Sequence, residues 1–408
     1  MKVADLRKEF PILSRSVFGK PLVYLDNAAT SQRPAAVTEA LLHNINTLNS
    51  NIHRAVHKLA SDETAEYEST RKAVADYIGA SSEKEIIFTS GTTASVNLAA
   101  WSFGEAFVRE GDEIIVSQAE HHSDIVPWQL MCLRKGAVLK VLPVDDSGHL
   151  RTDLLPELIT PRTKLLAVAH ISNVLGLVNP IKDICSLCRP LGVKVFVDGA
   201  QGIVHQHINV QDAGCDFYAF SGHKMYAASG TGVLWGRKEL LDKMPPYMSG
   251  GEMIDRVSFE KTTFAPTPGK FEAGTQNLNA TPTLKPAIEM LKIMADSDLQ
   301  ANMEAVSAYL QDRLSSIEGL RIYGIQASPG EKIPLFSFTV EGAHHEDIAL
   351  ILDKMGIAVR SGMMCAEPLM DRFGVTGMVR ASFAPYNTME EAEAFANGLE
   401  KALKMLRG

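Results

Sequence analysis

The 408 residues carry 40 Lys and Arg against 48 Asp and Glu, a net charge of −8 that argues against nucleic acid or an anionic membrane as the main partner. A hydrophobic content of 46% and a charged content of 22% describe an ordinary globular chain, long enough for two or three domain-sized units. Five scattered cysteines, an odd number, make no disulfide framework and fit a reducing cytoplasm.

Residues 3–10 read as a short amphipathic helix stopped by Pro11, charged and without the apolar core of a signal peptide. A strand at 22–25 runs into the turn Asp26-Asn27-Ala28-Ala29-Thr30. Helix follows to about residue 48, and a longer one spans 58–77 with Gly79 suited to cap it. Strand and helix then alternate. Strands are expected at 85–88, 113–117, 138–142, 165–168, 193–197, 215–219 and 233–235, with helices at 93–109, 125–135 and 181–188. This alternation predicts an α/β fold with a mostly parallel sheet flanked by helices. No stretch is long and apolar enough to cross a bilayer; His170 and Asn173 interrupt the best candidate.

Residues 245–269, rich in Pro and Gly, break the pattern and suggest a hairpin around Ser249-Gly250-Gly251-Glu252. A long helix follows Pro282. Beyond it come a strand at 335–340, a helix at 346–355, strands at 357–360 and 379–383, and a helix at 389–406. The expected division is an N-terminal segment 1–25 packing on a small α+β domain 286–408, and a large domain 26–285.

Ligands in such sheets bind outside the carboxyl ends of the strands. There the sequence places Ser90-Gly91-Thr92-Thr93, Glu120-His121-His122, Ser172-Asn173, Asp198-Gly199-Ala200-Gln201 and Ser221-Gly222-His223-Lys224. Lys224 at a strand end is either a surface lysine or one able to lose its proton and form a Schiff base with an aldehyde cofactor. Asp198 ends an apolar strand, which suits a helix cap or a partner for a protonated pyridine. The Ser90–Thr93 stretch is a good N-cap and also an anion site, though not a Walker A motif. His121 or His122 could stack on a planar ring or move a proton.

Cys185 and Cys188 fall inside a helix without a second pair, so they read as core rather than as zinc ligands, and no metal site declares itself. Cys365 differs, in a glycine-bearing loop after Arg360. An unassisted thiol has a pKa of ~8.5, so a nucleophilic role there needs a helping positive field. Arg380, a charge inside an apolar strand, fits a structural salt bridge or a bidentate grip on a carboxylate.

Taken in order, these segments resemble the class V aminotransferase group of fold-type I pyridoxal-phosphate enzymes. The resemblance is closest to group II, Suf-type cysteine desulfurases, and runs nearly end to end. It rests on Tyr24–Ala29, Asn51-Ile52-His53-Arg54, the polar clusters above, Gly250–Ile254, Phe271-Glu272-Ala273-Gly274-Thr275 and Arg360–Pro368.

By that resemblance Lys224 would hold the aldehyde of pyridoxal 5′-phosphate, Asp198 the pyridinium nitrogen and Gln201 the ring hydroxyl, with His121 stacked on the ring. Thr92, Thr93, Ser221 and His223 would bind the phosphate, joined by Thr275 from the second subunit of a homodimer. Asn173 and Arg380 would hold the substrate carboxylate, and His53, Arg54 and Arg360 would line the pocket. Cys365 would take sulfur from L-cysteine, releasing alanine, and pass it to a SufE- or SufU-type acceptor for iron–sulfur cluster assembly.

Two departures stand out. Met363 and Met364 precede the cysteine where many relatives have histidine, which implies activity rising steeply with pH. Gln276-Asn277-Leu278-Asn279 follows Thr275 with less glycine than the family pattern. Rival readings are selenocysteine lyase acting on L-selenocysteine, another class V reaction, or a non-catalytic sulfur-relay scaffold. A scaffold has no use for a Schiff-base lysine.

Overall fold

Consecutive apolar residues such as Ile86-Ile87-Phe88 and Val195-Phe196-Val197 become strands of one seven-stranded sheet in the computed structural model, which describes residues 1–324 and 330–408. The strands lie in the order Ile86–Thr89, Gly232–Gly236, Phe217–Ser221, Lys194–Asp198, Thr163–Ala169, Glu113–Ser117, Val138–Leu142. The last five pair in parallel, and Gly232–Gly236 runs antiparallel to both its neighbours. Alternate side chains face opposite sides. Phe88, Leu166, Val168, Val195 and Val197 enter one apolar cluster, while Ile87, Leu165, Ala167 and Phe196 enter another. Burial on both faces is why these strands read as apolar runs rather than as alternating patterns.

Parallel pairing brings the strand ends to one edge. Asp198 sits level with Ala169 on one side and Ala219 on the other. Gly232, which begins the antiparallel strand, lies level with both Thr89 and Ser221. A Cβ at Gly232 would come within 2.5 Å of Gly91 Cα, so only glycine permits this close approach of backbones.

A second, four-stranded antiparallel sheet has the order Leu320–Tyr323, Leu335–Val340, Met378–Ser382, Arg360–Gly362. Helices Ser297–Ser315, His345–Lys354 and Met389–Arg407 pack on it through Val306, Leu310, Leu352, Phe395 and Leu399. The single strand expected at 357–360 is in fact two. Ile357–Ala358 pairs in parallel with Val23–Tyr24, whereas Arg360–Gly362 joins the four-stranded sheet. Asp26 then bridges to Ser382, so the first Asp of the chain's early turn reaches the same edge.

The hairpin expected at 249–252 lies further on, between Ile254–Val257 and Thr262–Phe264. Its turn is made by Ser258, whose N–H donates to Lys261 O and whose Oγ accepts from the N–H of Glu260 and Lys261. The Gly250-Gly251 pair instead makes a bend with Glu252 at φ 64°. Helix 35–48 also divides: Ala35–His43 is α-helical and Asn44–Leu48 is a π turn, with Asn44 buried and donating to Leu278 O.

Candidate active site

The strand Phe217–Ser221 delivers Lys224 to the sheet edge through a single 3-10 turn, Gly222–Lys224. Burial lowers the pKa of this amine from the ordinary lysine range. The nearby Asp198 carboxylate opposes that fall and the Arg380 guanidinium adds to it. Asp198 is itself buried at the end of its strand, and burial raises its pKa while Lys224 pulls it back. Its Oδ1 accepts the Ala200 N–H at 2.8 Å. An amine eased toward its neutral form beside a carboxylate is a nucleophile next to a cation acceptor.

His121 begins the short turn His122–Asp124, and its Nδ1 accepts the Ser123 N–H at 3.0 Å. The neutral ring therefore carries its proton on Nε2. Burial, helped by Lys224, His122 and Arg380, pushes its pKa down to about 4, so the ring is uncharged at neutral pH. Gln201 is held by donating from Nε2 to Ala28 O at 2.8 Å.

Helix Thr92–Phe107 starts at the same edge, with Gly91 as its N-cap and no side chain capping it. The Thr92 N–H and Oγ1 both meet Ser221 Oγ at 2.8 Å, and Thr93 Oγ1 meets Ser123 Oγ at 2.7 Å. His223 stands beside Thr30 Oγ1 at 3.3 Å and, half-buried near Lys224, has its pKa pushed down to about 4. Hydroxyls gathered at a helix N-terminus make an edge whose chemistry suits an anion.

Arg380, from the middle of Met378–Ser382, points its guanidinium at the same region. It donates to Asn173 O at 2.8 Å and to Asp26 Oδ1 at 3.3 Å, while its buried Nε has no partner among the described residues. Asn173 turns its own Nδ2 to Met364 O at 2.8 Å. A buried guanidinium nitrogen without an acceptor is a costly vacancy that a substrate carboxylate would fill.

The Cys365 loop docks on this wall. The His122 N–H donates to Cys365 O at 2.8 Å, and the Glu367 N–H donates to His122 Nε2 at 3.1 Å. Met364 and Cys365 both adopt left-handed backbone, with φ of 54° and 56°, and helix Glu367–Phe373 begins two residues later. Cys365 is a free, exposed thiol.

The contacts of three further candidates run elsewhere. His53 Nε2 meets Glu68 Oε1 at 3.0 Å, Arg54 pairs with Glu252 at 3.3 Å, and Thr275 is exposed after Gly274. Arg360 is held by Asp26 Oδ2 at 2.7 Å. Sequence reasoning missed Asp26 as the anion between Arg360 and Arg380, although its place at the end of an early strand was a signal. It also missed the buried carboxyls of Glu120 and Asp124, which flank the histidine pair. Among the described residues, no group of His, Cys, Asp and Glu could hold a metal, and no helix is long and apolar enough to cross a membrane.

The aminotransferase class-V family model matches residues 23–395. The chain is 46% identical over 401 residues to a probable cysteine desulfurase of Xylella fastidiosa, covering 98% of this chain and 95% of that protein. Among solved structures it is similar to the cysteine desulfurase CsdA, in its S-sulfonic acid form, from Escherichia coli. The TM-score is 0.90 at 40% identity, covering 100% of this chain and 99% of that one. The apo cysteine desulfurase of Thermococcus onnurineus NA1 superimposes with a TM-score of 0.93 at 36% identity, with the same coverage.

Proposed function

The chain belongs to the class-V aminotransferase family, and on that premise we propose that it is a pyridoxal-phosphate-dependent cysteine desulfurase. The observation that carries this reading is the convergence on one sheet edge of the half-buried Lys224, with its lowered pKa, and the exposed thiol Cys365, whose loop is docked on the histidine turn by the His122 N–H to Cys365 O bond at 2.8 Å. The residues fit the cofactor: a pyridine partner in Asp198, an uncapped helix N-terminus with hydroxyls for the phosphate, and a lysine displaced toward its neutral form.

Bound pyridoxal 5′-phosphate supplies an aldehyde and an electron-accepting ring. Thr92, Thr93, Ser221 and His223 would hold its phosphate, with Thr275 contributed by the second subunit of a homodimer. Asp198 would keep the ring nitrogen protonated, Gln201 would meet the ring hydroxyl and the uncharged His121 would cover the ring.

Arg380 and Asn173 orient the carboxylate of L-cysteine, and His53, Arg54 and Arg360 close the pocket. The Lys224 amine takes the proton from the substrate Cα and returns protons to the carbon skeleton. Cys365 Sγ attacks the substrate sulfur: an S–S bond forms, the Cβ–S bond breaks, and a proton takes the place of sulfur on Cβ. One cysteine and one protein thiol thus become one alanine and one protein persulfide.

The exposure of Cys365 and the helix that starts beside it support delivery to a protein that approaches the loop. A SufE- or SufU-type acceptor in the cytoplasm, feeding iron–sulfur assembly, matches that need. Purified protein loaded with pyridoxal 5′-phosphate, given L-cysteine and a thiol reductant, should release alanine and sulfide in equal amounts. Alanine formed only from L-selenocysteine would make it a selenocysteine lyase instead.

A further inference from the structure

Behind His121 lie two buried carboxyls that the desulfurase chemistry does not use. Glu120 Oε1 accepts the Ala169 N–H at 2.8 Å and the Ser117 hydroxyl, and so ties together the ends of two parallel strands. Asp124 Oδ1 accepts the Trp128 indole N–H at 2.8 Å from the helix that follows. The other two oxygens, Glu120 Oε2 and Asp124 Oδ2, are buried with no donor among the described residues, and the two carboxyls face each other.

Two ionised carboxylates in contact and out of water repel strongly, whereas one proton between them makes a short, charge-assisted bond. The pattern of donors says where it sits. Glu120 already accepts two donors and is the carboxylate. Asp124 spends one oxygen on Trp128 and carries the proton on the other.

We propose that Glu120 and Asp124 form a proton-sharing carboxyl pair, a positioning device that anchors the turn bearing His121 and places one negative charge, not two, beside Asp198. The part concerning Asp198 rests on the cofactor reading above; the sharing of the proton does not. The groups facing the pair are Ser117 and Ala169 from the strand ends, Trp128 from the helix Val126–Lys135, and Asp198. Asp198 is the one ionisable neighbour acting on both among the described residues.

Burial raises both carboxyls above the usual carboxylate range; the Ser117 and Ala169 donors hold Glu120 down, while the charges of Glu120 and Asp198 add to the rise at Asp124, which keeps the proton. The folded chain therefore keeps a proton that the unfolded chain surrenders above the ordinary carboxylate range, and stability falls as pH rises above that range for as long as the folded pair holds the proton.

The test uses Asp124→Asn and Glu120→Gln. In either, an amide N–H replaces the shared proton while the single negative charge remains, so both should fold and bind pyridoxal 5′-phosphate like the wild type at pH 7. Chemical unfolding of the cofactor-free proteins between pH 6 and 8 should show the wild-type unfolding constant rising about tenfold per pH unit more steeply than in either variant. Equal slopes in wild type and both variants would overturn the shared proton.

The absorbance of bound pyridoxal 5′-phosphate, followed to pH 9, should show an alkaline component in wild type that the variants lack. Coincident profiles would overturn the link to Asp198. Failure to bind pyridoxal 5′-phosphate would instead defeat the cofactor reading, and the unfolding slopes would still decide the proton.

Discussion

Asp26 stands between two arginines, accepting from Arg360 at 2.7 Å and from Arg380 at 3.3 Å, and only Arg360 of the two is open to water. Removing the carboxylate in Asp26→Ala leaves the Arg380 guanidinium buried without a counter-ion, a change costing on the order of 3 kcal/mol. The melting temperature should fall clearly in that variant and much less in Asp26→Asn. An unchanged melting temperature would show that Arg380 takes its support from Asn173 alone. Residue types alone announced Arg380, because a charge in an apolar strand needs an explanation. Its alternatives, structural pair or substrate grip, could not be separated without seeing that Asp26 occupies one edge of the fork and leaves Nε free. Met363 and Met364, where the family pattern led us to look for histidine, also gain a spatial context. The half-exposed His122 packs its backbone and ring against the Cys365 loop from another element.

At the scale of elements, the crossing of Gly91 and Gly232 sets the shape of the turn that leads to Thr92. A methyl group in Gly232→Ala has no room, since it would meet the Gly91 backbone at 2.5 Å, and one of the two strands must move. Such overpacking costs about 1–3 kcal/mol, and it displaces the turn that leads to Thr92. The variant should bind pyridoxal 5′-phosphate more weakly in a direct titration as well as melt earlier. Unchanged affinity would separate this turn from cofactor binding. The parallel sheet and the edge that gathers the polar clusters were legible because apolar runs alternate with helical ones. The hairpin was misplaced because a Gly-Gly pair reads as a turn, while the real turn at 258–261 is built by side-chain hydrogen bonds of Ser258. The edge strand Leu320–Tyr323 escaped notice because it is short and only partly buried. The split of 357–360 between two sheets depends on Val23–Tyr24, far away in sequence.

Over the whole molecule, burial holds His121, His170 and His223 each at about 4, against ~6.5 for an unfolded histidine. The unfolded chain therefore binds protons between about pH 6.5 and 4 that the folded chain refuses, so stability present above that window is lost as the pH falls through it. Urea midpoints measured at pH 7, 6 and 5 should decline progressively. Midpoints that stay level would contradict the neutral state of these rings.

The same three-dimensional assembly joins Lys224 and Asp198 of the large sheet to Arg380 of the small one and to the Cys365 loop, and the account turns on that last member. Wild type and Cys365→Ala, both loaded with pyridoxal 5′-phosphate, should be compared for alanine and sulfide formed from L-cysteine with reductant. The variant should keep the bound cofactor and lose most of both products. A variant that makes alanine and sulfide at the wild-type rate would contradict it, because the sulfur would then leave the substrate without passing through Cys365.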